Sequence, residues 1–580
     1  MPAAGPCERG GAGNRRLGTG RGKAGQGRAL PPAAARHGPA RPRAPHSPPA
    51  PPGMPCPRCC PPGLLALVGP GLALLAQLAL ASPPDRRAPP AAAAPGAKGR
   101  TLVLLDVNTK SAVRVTGDSF LSLQLDPSII HDGWIDFLSS RRLVTLARGL
   151  APAFLRFAGK RTDFLHFQNL KNPAKSRGGP GPDYYLKNYE DARSLDKLYN
   201  FADCSGLHLI FALNALRRNP NNSWNSSNAL SLLKYSAGKK YNISWELGNE
   251  PNNYRTLMGR SVNGSQLGKD YVQLRSLLQL IRTYSRASLY GPNIGRPRKN
   301  VIALLEGFMK VAGSTVDAVT WQHYYIDSRV AKVTDFLKTR LLDTLSDQIR
   351  KIQKVVNVYA PGKRIWLEGV GASSAGGMTN LSDSFAAGFL WLNTLGMLAH
   401  QGIDVVMRHS FFDHGHNHLV DQNFNPLPDY WVSLLYKRLV GPKVLAVHVA
   451  GLQRKPRPGR VIRDKLRIYA HCASSRTHSY VRGSITLFII NLHRSRKKIK
   501  LAGTLRDKMV HQYLLQPYGQ DGLHSRSVQL NGQLLAMVDD GTLPELRPRP
   551  LRAGRTLVIP PLTMSFYVVK NVNALACRYR

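Results

Sequence analysis

Two glutamates in this 580-residue chain lie where a sugar-cleaving pair would have to lie. Glu250 closes the stretch Ser244-Trp-Glu-Leu-Gly-Asn-Glu-Pro251, and Glu368 lies in Arg364-Ile-Trp-Leu-Glu-Gly-Val370. Each stretch is apolar, β-prone and bounded by Gly or Pro, the pattern of a buried strand. A retaining glycosidase needs one acid to protonate the leaving oxygen and one carboxylate to attack the sugar, about 5–5.5 Å apart. In that chemistry Glu250 is the acid/base, Asn249 bonds a neighbouring sugar hydroxyl, and Glu368 is the nucleophile. The plain alternative for Glu250 is a solvated carboxylate in a turn. Trp321-Gln-His-Tyr-Tyr325 ends another strand-like run. There His323 and Tyr325 are candidates for orienting the nucleophile and lining the sugar pocket, against the alternative of a core aromatic cluster. This chemistry calls for no cofactor and no metal.

The elements that must position these groups read as βα units. Strand-like runs at 121–125, 154–157, 208–214, 244–248, 287–290, 318–324, 365–368 and 403–409 alternate with helical patterns at 194–203, 267–284 and 346–356. Eight such strands predict an α/β fold, a (β/α)8 TIM-like barrel over 116–435. After residue 436 short strands recur without long helices (444–449, 466–472, 484–491, 514–517, 556–559 and 565–569), which predicts a C-terminal all-β sandwich over 436–580. Residues 101–115 supply a strand expected to join that sandwich. One place fits poorly. Between Phe157 and His208 a Gly/Pro-rich loop runs straight into a short helix, so the barrel is expected to be thin there, with one helix missing.

Charge and leader narrow the partners. The chain carries 80 Lys+Arg against 34 Asp+Glu, a net +46. The first 81 residues hold ten of those bases and one acid, which leaves 70 against 33, or +37, for the rest. Such a surplus implies a polyanion: nucleic acid, an anionic membrane or a sulfated polysaccharide. Residues 1–53 are Gly/Pro/Ala/Arg-rich and are read as a disordered upstream extension. Met54 opens a segment with an apolar run from Leu64 to Ala81 and a small-x-small pattern at Ala79-Leu80-Ala81, which reads as a signal peptide over 54–81. A transmembrane anchor is the other reading; Pro70 and the cleavage pattern weigh against it. Residues 82–100 form a Pro/Ala-rich linker, and no second apolar run is long enough to span a membrane. Sequons at Asn221, Asn225, Asn242, Asn263 and Asn380 fit a secreted glycoprotein. Of the seven cysteines, Cys204, Cys472 and Cys577 lie beyond the leader, which suits one bridge and one free thiol. Basic clusters occur at Arg296, Arg298 and Lys299, at Arg454, Lys455 and Arg457, and at Arg494, Arg496, Lys497 and Lys498. Each alone could be a solvated loop; together, on a basic secreted chain, they suit sulfate, which Arg forks bind in bidentate fashion.

Over residues 101–580 the chain resembles the heparanase family of clan-A barrel glycosidases (glycoside hydrolase family 79). The resemblance rests on Leu123-Gln-Leu-Asp126, Ala153-Phe-Leu-Arg-Phe157, Trp245 to Pro251, Val262 to Leu267, Trp321 to Tyr325, Leu419-Val-Asp421, Pro428-Asp-Tyr-Trp431 and Ser527 to Asn531. It also exposes departures. Catalytic members read Trp-Leu-Gly-Glu where this chain has Trp366-Leu367-Glu368-Gly369, so glycine stands in the nucleophile's place. Side chains alternate faces along a strand, so an acid displaced by one residue is expected to point at the helical layer or a polar pocket behind the barrel, unless a bulge at Gly369 returns it. Lys160 and His409, and the stretch Gly415-His416-Asn417, also depart from the catalytic pattern, adding basic groups that suit anion binding. The family carries several tens of residues at Asp191-Ala192 that this chain lacks, so the resemblance implies a shortened form, with Cys204 unpaired and Cys472 bonded to Cys577. The function so implied is a secreted, non-catalytic homologue. It would bind heparin and heparan sulfate in the matrix or at the cell surface, and restrain catalytic heparanase. The rival is an active endo-β-glucuronidase using Glu250 and Glu368. A second rival, a nucleic-acid binder, rests on charge alone, and the leader argues against it.

Overall fold

The computed structural model describes residues 102–168, 189–374, 376–413, 415–450, 465–476 and 480–579. The upstream extension, the signal peptide, the linker and the cluster at Arg454, Lys455 and Arg457 lie outside them. Eight parallel strands close a barrel: β1 (Leu121–Leu125), β2 (Ala153–Phe157), β3 (Leu207–Leu213), β4 (Ile243–Leu247), β5 (Leu289–Ile294), β6 (Ala318–Ile326), β7 (Arg364–Ser373) and β8 (Val405–His409). Each pairs with its sequence neighbours, and β8 returns to β1.

A helix follows every strand: α1 (Arg141–Gly149), α2 (Ala192–Ser205), α3 (Ser227–Gly238), α4 (Gly264–Leu280), α5 (Lys299–Ala312), α6 (Thr339–Tyr359), α7 (Phe385–His400) and α8 (Pro428–Leu439). The expected gap between Phe157 and His208 is therefore corrected. The 14 residues of α2 bury Leu195, Leu198, Phe201 and Ala202, and these fill the layer beside β3. An apolar residue at every third or fourth position on one face is enough to seat a helix this short once the sheet is there.

Outside the barrel lie a four-stranded and a nine-stranded sheet. Val103–Val107 pairs parallel with Lys497–Leu501 and antiparallel with Val447–Ala450 in the smaller one. The run expected as one strand over 444–449 is two. Val440–Leu445 belongs to the larger sheet and Val447–Ala450 to the smaller, and the chain turns the corner at Ala446. Ile485–Asn491 and Thr563–Val569 are buried along their whole lengths. One face contributes Leu487 and Ile489 to the sandwich core, and the other sends Phe488 and Phe566 into the core shared with the barrel helices. Burial on both faces explains why these strands read as continuous apolar runs.

Helix α7 lies between barrel and sheet and is buried all round except at His400. A methyl group on Gly396 would come within 2.5 Å of the Tyr469 ring, and one on Gly388 within 2.5 Å of Met564, so the helix can approach this sheet only where it has no side chains. Among the described residues no helix is long and apolar enough to cross a membrane.

Cys472 is bonded to Cys577, with Cα atoms 5.5 Å apart, which ties a strand of the larger sheet to the chain's last residues. Cys204 is also disulfide-bonded, so the expectation that it is unpaired is corrected.

Candidate functional site at the barrel mouth

Strand alternation sorts the inward side chains into three levels. The lowest is apolar: Trp366 packs at a tilt against Phe154 and Tyr290, with ring centres 5.0 and 4.1 Å away, and Ile210, Val405 and Met407 lie beside it. Above it lies a charged level that no solvent reaches. Arg156 Nε donates to Glu246 Oε2 at 2.8 Å and stands 3.5 Å from Glu368 Oε2, and all three side chains are 0% exposed. Asn293 Nδ2 donates to Glu368 Oε2 at 3.2 Å. The uppermost level is the mouth, where Glu250, Asn249, Gln322, Tyr324, His409 and Lys160 gather.

Glu368 therefore faces the lumen, and the expectation that it points at the helical layer is corrected. Two features explain the difference. Ile365 and Leu367 pack outward while Trp366 packs inward, so Glu368 shares the inward face of Trp366. The register of β7 on β8 then slips between Glu368 and Val370, and Gly369 has φ +96°. A Cβ on Gly369 would lie 3.1 Å from both Gln124 Oε1 and the Gln322 carboxamide, which also face the lumen. This bulge lets residues 368 and 369 open onto the same side, one level apart. Position 369 lies at the mouth and carries no side chain; the acid beneath it is sealed in.

Two carboxylates and one guanidinium share the charged level. Burial drives the Glu368 carboxyl well above its usual range, the charge of Glu246 pushes it further, and Arg156 opposes both. Glu368 thus keeps its proton and Glu246 takes the ion pair, the outcome expected when two acids compete for one buried cation.

Glu250 is half-buried at the end of β4, with a left-handed backbone at φ +46°. Its N–H donates to Asn293 O at 3.1 Å. Burial raises its carboxyl above the usual range, against the pull of Arg156, Asn253 and Lys160. Asn249 is held from two sides. Its N–H donates to Asp163 Oδ2 at 2.9 Å, and its Oδ1 accepts from Gln322 Nε2 at 3.1 Å and Arg156 Nη2 at 3.3 Å. Burial pushes Asp163 up to about 6.

His323 and Tyr325 do not reach this mouth. On β6 the inward residues are Thr320, Gln322 and Tyr324; Trp321, His323 and Tyr325 face the helices. The Tyr325 hydroxyl bonds Thr394 on α7. His323 is 1% exposed, neither of its ring nitrogens has a hydrogen-bond partner, and burial drives it down to about 3. The side chains that this strand sends to the mouth are Gln322 and Tyr324, one position earlier in each case. Period-two counting from Thr320 would have found them.

Of the basic additions, Lys160 is exposed at the rim, and its charge is felt by both Glu250 and His409. His409 accepts or donates at Nδ1 with Tyr324 Oη at 2.8 Å, and burial drives it down to about 4. It is neutral at physiological pH, so at the mouth the added cation is Lys160. Arg296, Arg298 and Lys299 are exposed where β5 passes into α5, on the mouth side of the barrel. Arg494, Arg496 and Lys498 are exposed on the sandwich and Lys497 is half-buried there. Asn221, Asn242, Asn263 and Asn380 are exposed and Asn225 is half-buried. Among the described residues no group of three His, Cys, Asp or Glu side chains could hold a metal ion.

Arg156, Glu246, Asn293 and Asp163 escaped the reading of the sequence as site residues. The signal was a charge inside an apolar strand: Arg156 in Ala153–Phe157 and Glu246 in Ile243–Leu247 have no reason to be there unless they face each other.

Known proteins place this geometry. Residues 188–396 match the family described as Glycosyl hydrolase family 79, N-terminal domain. The chain is 76% identical to proteins named Inactive heparanase-2, from mouse (90% of this chain, 97% of that protein) and from human (91% and 98%). It is 44% identical to mouse heparanase, over 82% of this chain and 94% of that protein. The alignment with the first runs over 575 positions yet takes in 90% of 580 residues, about 522, so about fifty positions of that relative have no counterpart here. Solved structures share the fold. A 4-O-α-L-rhamnosyl-β-D-glucuronidase from Fusarium oxysporum superposes with a TM-score of 0.57 at 14% identity, over 80% of this chain and 99% of that one. An α-L-arabinofuranosidase from Thermotoga maritima superposes at 0.56 and 13%, over 81% and 100%. The chain belongs to the heparanase family, as a glycosidase-like member in which glycine occupies the nucleophile's position.

Proposed function

We propose that this protein is a secreted, non-catalytic binder of heparin and heparan sulfate that restrains catalytic heparanase by occupying the polymer or by direct contact. The observation that carries the non-catalytic half is the sealed Glu368. A nucleophile must touch the anomeric carbon, and a carboxyl group with no exposure, protonated and bonded to Asn293, cannot. The binding half is supported by the +37 body, by Lys160 at the mouth, and by the exposed bases at Arg296, Arg298 and Lys299. Secretion is supported by the leader-like segment and by four exposed sequon asparagines.

The test uses the full chain with end-labelled heparan sulfate at mildly acidic pH. The expected result is retention of the polymer with no change in chain length, and slower cleavage when catalytic heparanase is added. Shortening of the polymer that disappears in Glu250→Gln would overturn the reading.

A further inference from the structure

At the barrel end opposite the mouth, where the chain enters β1, α8 and the larger sheet enclose a cleft of about 450 Å³. Its walls carry Lys437 from α8, Lys443 from the strand Val440–Leu445, and Arg476 and Arg482 from the loop that follows the strand Leu466–Ala473. Among the described residues one acid, Asp118, lines it, and that acid is taken: Arg476 Nη2 lies 2.8 Å from Asp118 Oδ2. Lys437 is 7% exposed, and no carboxylate among the described residues pairs with it. Its ammonium donates to Pro152 O at 2.6 Å and Asp118 O at 3.1 Å. Those are neutral acceptors, and an ammonium has three protons. A side chain this buried, with a third proton that no described residue accepts, in a cleft with three further bases, is a ready partner for an anion.

We propose that this cleft binds the sulfate or carboxylate group of an acidic saccharide unit, held by Lys437 and flanked by Lys443, Arg476 and Arg482. The volume suits one or two sugar rings, and Tyr480 and Tyr579 supply apolar walls. The saccharide half of the inference rests on the heparan sulfate reading; the anion half does not. The cleft is also proton-linked. Burial and the charge of Arg476 lower the Lys437 ammonium to about 7, against the pull of Asp118. An arriving anion favours the charged amine, so binding takes up a proton and tightens as the pH falls through neutrality.

The experiment is calorimetric titration of the full chain with a sulfated heparin disaccharide, its unsulfated counterpart and sodium sulfate. The sulfated disaccharide is expected to bind best, and more tightly near pH 6 than near pH 8. Lys437→Met should weaken it on the order of tenfold, and Arg482→Ala, at an exposed position that leaves the fold intact, about threefold. Equal affinity for sodium sulfate would reduce the cleft to an ion site and overturn the proposal. So would variants that bind like the parent. Lys160→Ala, at the mouth, is the comparison that tells the two sites apart. If it alone abolishes binding, the disaccharide sits at the mouth, and the cleft proposal fails while the heparan sulfate reading stands.

Discussion

The mouth of the barrel and the charged level beneath it contain the same kinds of residue and treat them in opposite ways. At the mouth a lone glutamate, Glu250, is half-buried, raised by burial and opposed from below by Arg156 and from the rim by Lys160. Beneath it, Glu246 and Glu368 share Arg156 with no exposure to solvent. The upper acid can meet a ligand; the lower pair meet Arg156, Asn293 and each other. A shift of one residue along β7 carries an acid from the first environment into the second, and turns a group with chemistry to do into part of the packing.

The comparison can be broken hardest at Arg156. Arg156→Met strands the carboxylate of Glu246 in a dry lumen, which should cost about 3–5 kcal/mol, read as a lower midpoint in urea. A loss below about 1 kcal/mol would mean that water reaches this level. Next is Gly369. Because φ is +96° there and a Cβ would crowd Gln124 and Gln322, Gly369→Glu should cost about 1–3 kcal/mol by thermal unfolding and confer no hydrolysis of heparan sulfate while Glu368 remains. Free accommodation of that side chain would show that the bulge is not held.

Glu368→Gln sharpens the protonation claim. The folded carboxyl titrates above the unfolded value of 4.5, so the folded state binds more protons once the pH exceeds that range, and stability falls as pH rises. The amide removes this term. Between about pH 5 and pH 8 the parent should lose more stability than the variant, and parallel profiles would refute the assignment. The smallest effect is at Glu250. If the mouth binds heparin as proposed, Glu250→Gln removes a repelling negative charge, so heparin affinity should rise about twofold to threefold at low salt, measured by the salt needed for elution. A decrease would mean that the carboxylate itself holds the ligand.

Much of this was legible in the chain. Eight β-prone runs alternating with helical patterns predicted the barrel, because inward and outward faces must both be apolar where strands are covered on both sides. The short helix before His208 read as a defect, yet α2 is seated. Propensity says little about a helix whose stability comes from Leu195, Leu198 and Phe201 meeting a finished sheet. At the site, Asn249, Glu250, Lys160 and His409 gather at the barrel mouth, while His323 and Tyr325 face the helices and their neighbours Gln322 and Tyr324 face the lumen.

By itself the sequence determined that this is a heparanase-family barrel with an acid/base-like glutamate, a glycine in the nucleophile's place and a strongly basic surface. Those are matters of residue type, and type survives without coordinates. Only the tertiary structure decided which way each side chain points. Facing depends on bulges such as the one at Gly369, and a bulge is set by how neighbouring strands hydrogen-bond, which no single strand's sequence contains. It also decided that Glu368 meets Arg156 and Glu246, residues more than a hundred positions upstream, because ion pairing in a lumen depends on distance in space and on the absence of water.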